Sequence, residues 1–195
     1  MVQFKAFEDG MMVNGATIMS IVDALKNYGG AVGQIMKESG LEDVVGDENH
    51  WYPQQSFLNA FKIISEQVGP KTLFLIGQKI PENAVFPPEV DSIEKALASI
   101  DVAYHMNHKN ARGEVLFDPT RTPTMLEGIG HYEFAALEGQ NRGVMVCDVP
   151  YPCDFDRGII ATIAARFSRA PVVVHDDSAA CRKDGFETCA YQIRW

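Results

Sequence analysis

The chain lacks any run of about twenty apolar residues, so no segment reads as a membrane span. It also lacks a basic stripe: 17 Lys and Arg stand against 26 Asp and Glu, for a net charge of −9. A surface built to hold a phosphate backbone normally shows clustered Lys and Arg, so direct nucleic-acid binding is excluded. The opening MVQFKAFEDG has no basic region followed by an apolar run. The expectation is therefore a cytoplasmic location, with reduced thiols at the four cysteines, Cys147, Cys153, Cys181 and Cys189. No repeat or low-complexity tract occurs. Residues 81–88, rich in proline, read as a loop within one domain spanning 1–195. Catalytic signatures are missing too: no Gly-rich phosphate loop, no Gly-x-Ser-x-Gly elbow, no His-Glu-x-x-His. A binding role is expected over an enzymatic one.

What is present suits one compact core, since 46% of 195 residues are hydrophobic. Met12 and Val13 end a short first strand. Asn14 is an N-cap for a helix over 15–28, with Ile18, Ile21, Val22 and Leu25 on one face, and Gly29-Gly30 stops it. A second helix is predicted over 31–39, ending at Gly40, and an acidic surface loop over 41–50. Trp51-Tyr52-Pro53 opens a third helix, on which Phe57, Leu58, Phe61, Ile64 and Val68 make a stripe. Gly69-Pro70 breaks it, and another helix covers 71–80. Asp91 or Ser92 caps the next, carrying Ile93, Leu97, Ile100 and Tyr104 and ending near 105–109.

The second half changes character. Segments 114–117, 130–137 and 143–147 read as strands. Asp154 caps a helix with Phe155, Ile159, Ile163 and Phe167 at i+4 spacing. Strands at 172–174 and 190–193 finish the chain. Between them Asp184-Gly185 signals a tight turn that brings Cys181 and Cys189 together. The fold class is α+β: N-terminal helices, then an antiparallel sheet with one inserted helix and a C-terminal Cys-flanked β-hairpin, helices on one side of the sheet.

The closing pattern, Cys181-x-x-x-Gly185-x-x-x-Cys189-x-Tyr191-x-Ile193-x-Trp195, resembles the end of 4-vinyl-reductase-like domains, also called hydrocarbon-binding domains. These share a superfamily with transport-protein-particle subunits and haem nitric-oxide/oxygen-binding domains. The motif-level likeness covers the last third of the chain. Upstream, only the order of elements agrees. The resemblance implies a sensory domain that binds a small apolar or aromatic ligand and signals to a partner protein, commonly as a homodimer paired through N-terminal helices. It also implies zinc. In the sensor relatives the paired cysteines bind zinc with an upstream cysteine and an acidic residue. Cys181 and Cys189 match the pair, and Cys153 is the upstream candidate. The acidic ligand has no clear match, since Ser178 stands there with His175, Asp176 and Asp177 close by. The metal set is therefore Cys153, Cys181, Cys189 and His175. The alternative is two buried cysteines packed under a hairpin.

Haem is the second expectation. Haem-binding relatives carry a proximal histidine on a helix at a similar place, which makes His105 the axial candidate. Their Tyr-x-Ser-x-Arg motif is not reproduced, since Tyr132-Glu133-Phe134-Ala135-Ala136 has neither Ser nor Arg. His105 and His108 also suit a polar helix end, where imidazole meets the negative end of the dipole. A third expectation is a metal-dependent enzyme using the cysteine cluster, which needs an open coordination position. The turn from Cys147 to Asp154 crowds Cys, Pro and Asp before a helix, either as a reactive thiol site or as a rigid turn. Trp51, Phe57, Phe61, Tyr104, His105 and His108 are the candidate ligand-binding residues. Arg166 and Arg169 are expected to face solvent.

Overall fold

The computed structural model describes residues 3–26, 31–42, 50–82 and 84–195. The architecture is α+β, as expected. Strand β1 (Met12–Asn14) leads into helix α1 (Gly15–Leu25), where the Asn14 side chain accepts the Ala16 N–H at 2.7 Å. Helix α2 (Ala31–Glu38) ends at Gly40, which takes φ +78°, a conformation open to glycine. The expected Gly29-Gly30 stop and most of the acidic loop lie outside the described residues.

Trp51–Pro53 is a strand, β2, not the start of a helix; helix α3 (Gln54–Gln67) begins one residue later. Pro53 has φ −55° and ψ 126°. Its ring fixes a φ that both helix and extended chain accept, so proline alone could not separate the two. Pairing with β1 decides it: Met12 faces Pro53 and Asn14 faces Trp51. Helix α4 (Pro70–Lys79) starts on its proline, and α5 (Ile93–Met106) is capped by Ser92, whose hydroxyl accepts from Lys95 N–H. Strand β3 (His108–Lys109) follows at once and completes a small sheet of order β2-β1-β3.

The predicted strand over 114–117 forms only isolated bridges, Lys109 to Val115 and Phe117 to Met125. Strands β4 (His131–Ala136) and β5 (Arg142–Asp148) then build the main sheet with β6 (Val172–His175) and β7 (Cys189–Arg194), in the order β4-β5-β7-β6, antiparallel throughout. Helix α6 (Cys153–Phe167) joins β5 to β6. Asp154 is not its cap. Pro152 holds that position without a side-chain bond, and Asp154 and Asp156 sit in the first turn, where the positive end of the helix dipole favours them. A 3₁₀ turn (Arg182–Asp184) closes on Gly185, at φ +91°.

Two glycines set the depth of the core. A Cβ at Gly77 would collide with the Phe155 carbonyl, and one at Gly158 with the Phe74 carbonyl. Helices α4 and α6 therefore cross backbone against backbone. One cluster of buried apolar residues runs from Val13 through Phe57 and Phe61 to Tyr191 and Ile193. Among the described residues, no helix is long and apolar enough to cross a membrane.

Candidate functional site

A cavity of about 150 Å³ lies between α5 and α6, with Phe57 on its floor and Phe86 at one end. Ile100 and Tyr104 contribute from α5, His108 from β3 just past its end, and Phe155, Ile159 and Ile163 from α6. The four-residue helical periodicity that marks both stripes in the sequence puts these side chains on facing surfaces. An apolar cavity of this size stays dry and holds about one benzene-sized ring. It falls short of the roughly 300–1,000 Å³ of pockets for larger organic ligands.

The tyrosine and histidine groups on its wall are already engaged with protein, and Ser99 and Asn107, which also line it, bond to carbonyls of α5. Thr17 is the remaining polar residue there among the described residues. Tyr104 Oη donates to the Ile129 carbonyl at 2.7 Å, and Tyr132 Oη to Asp156 at 2.7 Å. His108 Nδ1 is 2.7 Å from the Tyr104 carbonyl, which can only accept, so Nδ1 carries the proton. Nε2 then accepts the Tyr151 hydroxyl at 2.7 Å, and Gln54 Nε2 donates to the same oxygen at 3.2 Å. Burial pushes His108 down to about 4, so the ring is neutral at pH 7. Burial likewise raises the Tyr104, Tyr132 and Tyr151 hydroxyls well above the usual range. What remains for a guest, Thr17 apart, is ring faces and methyl groups.

Of the candidate ligand-binding residues, Phe57, Tyr104 and His108 reach this cavity. Phe61 packs one layer behind, with its ring centroid 4.5 Å from Phe57 and 4.7 Å from Phe155. Trp51 lies on β2 under the Lys109 ammonium, 4.2 Å from its ring, because the strand turns it away from α5. His105 is also turned away. One residue beyond Tyr104, it points about 100° around the helix, toward β4 and His131. Tyr132 and Tyr151 were not among the candidates. Tyr151 sits in a Pro-flanked loop, where no periodicity marks an inward side chain.

The second group is sulfur-rich. Ligand atoms of Cys153, His175, Cys181 and Cys189 all lie within 4.8 Å of one another. Cys181 Sγ is 3.7 Å from Cys153 Sγ and 3.6 Å from Cys189 Sγ, while Cys153 and Cys189 are 2.8 Å apart. Zn–S bonds of about 2.3 Å at tetrahedral angles set sulfurs about 3.8 Å apart. Two of the three separations meet that spacing, and the third is a short sulfur–sulfur contact. The bond from Cys153, with the Arg182 guanidinium and His175 adding to the pull against burial, holds Cys189 down at about 4. The same contact, and burial, push Cys153 up. His175 Nδ1 is fixed by Asp177 at 2.8 Å, and its Nε2 is buried without a partner among the described residues. Cys147 pairs across the sheet with Cys189 but stands outside the group.

Arg182, wholly buried, ties the two regions together. Its backbone N–H and Nε point at Cys189 Sγ, at 3.2 and 3.4 Å, and its Nη atoms reach the Val149 carbonyl and Asp156. Asp156 in turn holds Tyr132 on the cavity wall. Burial pushes the Asp156 carboxyl up to about 6 against the pull of Arg182 and Tyr132, so it is ionised at pH 7.

This arrangement does not fit haem. His108 faces the cavity but both its nitrogens are taken. His105 Nε2 has no partner among the described residues but faces elsewhere. The space is about one ring, and among the described residues no Arg or Lys lines it to meet propionates.

The chain matches no protein-family model and no curated protein. Its fold does match solved structures. An H-NOX protein from S. oneidensis in the Fe(II)NO ligation state superposes with a TM-score of 0.65 at 13% identity, covering 93% of this chain and 98% of that one. A T. tengcongensis H-NOX variant gives 0.59 at 15%, covering 91% and 94%. A structure from a study of haem distortion in the H-NOX family gives 0.62 at 15%, covering 93% and 94%. Of the two ligand expectations, these descriptions bear on haem and not on an apolar guest. At such identities the likeness establishes the fold alone: the chain is built on the architecture seen in these H-NOX structures.

Proposed function

We propose that the chain is a ligand-binding sensory domain of the 4-vinyl-reductase-like kind on the H-NOX fold. It takes one small apolar or aromatic molecule into the cavity between α5 and α6 and passes occupancy to a partner protein. The observation that carries this reading is the wall: about 150 Å³ lined by rings and aliphatic groups, with the bonding groups of its tyrosines and His108 engaged elsewhere. Zinc held by Cys153, His175, Cys181 and Cys189 is the second part of the proposal. The convergence of the four ligand atoms supports a closed, structural site, which suits the resemblance better than an open catalytic one. Residues 1–195 act as one binding domain, as a homodimer, with no chemistry performed on the guest.

Haem is the competing occupant. The fold neighbours favour it over the apolar guest, while the side chains around the cavity favour the guest. Parallel titrations with toluene and with haem decide between them. A ligand bound only by the folded state raises Tm in proportion to ln(1 + [L]/Kd). Toluene is expected to raise Tm and haem to give no Soret band. A Soret band with no response to toluene overturns the reading.

A further inference from the structure

We infer that Asp101, His105 and His131 form a divalent transition-metal site at the junction of α5 and β4, separate from the cysteine group. One ligand atom from each lies within 4.8 Å of the other two. Asp101 and His105, four residues apart, share a face of α5, and His131 opens β4 opposite them.

His105 is fully buried, and its Nδ1 lies 2.8 Å from the Asp101 carbonyl. A carbonyl only accepts, so Nδ1 holds the proton and Nε2 presents a bare lone pair. That Nε2 has no partner among the described residues. Leaving a buried acceptor unmade costs about 1–3 kcal/mol. The ring nitrogen placed near the carboxylate is Nδ1, 3.6 Å from Asp101 Oδ1, so a cation shared with Asp101 through Nε2 requires the ring to turn. A backbone carbonyl on the far nitrogen is how metal-binding histidines are commonly oriented.

The other two residues are braced in the same manner. Asp101 Oδ1 accepts the Tyr132 N–H at 2.9 Å, and Oδ2 faces His131 Nδ1 at 3.1 Å. His131 Nε2 is 2.9 Å from Glu127 Oε2, a carboxylate–histidine pair that leaves Nδ1 for the metal. Two imidazoles on one ion at Zn–N of about 2.0–2.1 Å and tetrahedral angles put their ring centres about 5 Å apart. The His105 and His131 centroids are 5.0 Å apart. Binding displaces the Nδ1 proton of His131 to solvent and leaves a position for water. Two nitrogens and a carboxylate suit first-row ions such as Zn²⁺ or Co²⁺, and the side-chain exposure of His131, 28%, gives them a path in.

Co²⁺ is the probe, because thiolate ligands give a sulfur-to-cobalt charge-transfer band and nitrogen and oxygen ligands do not. Equilibrium dialysis of the full chain should find an ion beyond any that generates that band. His131→Gln and Asp101→Asn should each lower the affinity for this ion at least tenfold and leave the charge-transfer band intact. Both positions are partly exposed, so these variants keep the fold, unlike a change at the fully buried His105; circular dichroism verifies this. Cobalt bound only with the thiolate band, or binding unchanged in both folded variants, overturns the site. Neither result touches the cavity proposal, which toluene reads separately.

Discussion

Arg182 and Asp156 form an ion pair in which both side chains are wholly shielded from solvent. The pair pins the 3₁₀ turn after Cys181 to the first turn of α6, and so fixes the position of the cysteine group relative to the cavity. Two charges removed from water are tolerated only when both are present and further bonds satisfy them, which the Val149 carbonyl and the Tyr132 hydroxyl do here. Arg182→Met leaves a buried carboxylate unpaired and should cost about 3–5 kcal/mol in urea unfolding. In Arg182→Met with Asp156→Leu the second change should recover part of that loss. Additive costs would mean that the two groups are not coupled.

His108 sets the acid side of the stability profile. Its folded value, about 4, lies below the ordinary 6.5 because burial disfavours the cation. The unfolded chain therefore binds the extra proton between these values. The contribution is present in full above about 6.5 and is lost as pH falls toward 4. The shift corresponds to about 3 kcal/mol across that window. The Asp156 carboxyl, raised to about 6, acts in the opposite sense over the same window. The measure is therefore the difference between wild type and His108→Gln in urea midpoints at pH 7 and pH 4.5: on acidification the wild type should lose more than the variant. A wild-type slope equal to that of the variant would place the imidazole in water.

Of the three helix caps named from sequence, Asn14 and Ser92 (one of two alternatives with Asp91) are in place, because a short polar side chain before an apolar period acts over a few residues only. At the third, Pro152 stands where Asp154 was expected. The main sheet was legible for the same reason: the alternation in β5 and β7 reports one buried face. The small sheet was not. Its strands run two or three residues, too short for any period, and Trp51–Pro53 is a strand only because Met12–Asn14 pairs with it from far away in the chain. The cysteine group was visible as spacing around Gly185. Arg182 was not, since nothing in its neighbourhood distinguishes a buried arginine from the exposed Lys183 beside it. His105 and His108 were both candidates from sequence; His105 sits on the face of α5 toward β4, while His108, just past the helix end on β3, reaches the cavity.

The crossing of α4 and α6 should tolerate no added carbon. Gly158→Ala pushes a methyl into the Phe74 carbonyl and should cost about 1–3 kcal/mol by forcing the helices apart. Gly33 on α2 is the control, because a Cβ there meets open space. Gly33→Ala should be neutral or stabilise by about 0.5–1 kcal/mol. Equal losses at both positions in thermal melts would remove the close helix crossing as their cause.

Zinc in the cysteine group has a measurable consequence for folding. Stripping metal from the purified chain with a strong chelator should lower stability by about 3 kcal/mol or more, roughly 6–12 °C in Tm for a chain of this size. Cys181→Ser, which removes one ligand, should lower Tm similarly and make it insensitive to the chelator. A wild-type Tm that does not move on stripping, with metal analysis showing none bound beforehand, would leave three buried thiols packed under the hairpin.

Filling the cavity distinguishes a hollow interior from a solid one. Ile163 faces the space from α6 and is 6% exposed. In a solid core, Ile163→Phe overpacks and costs about 1–3 kcal/mol. With about 150 Å³ free beside it, the larger ring has somewhere to go, and each newly buried methylene-sized group contributes about 0.8 kcal/mol. The variant should therefore match or exceed the wild-type Tm without ligand and lose most of the rise that toluene produces. A destabilised variant that still responds to toluene would place the guest elsewhere in the fold.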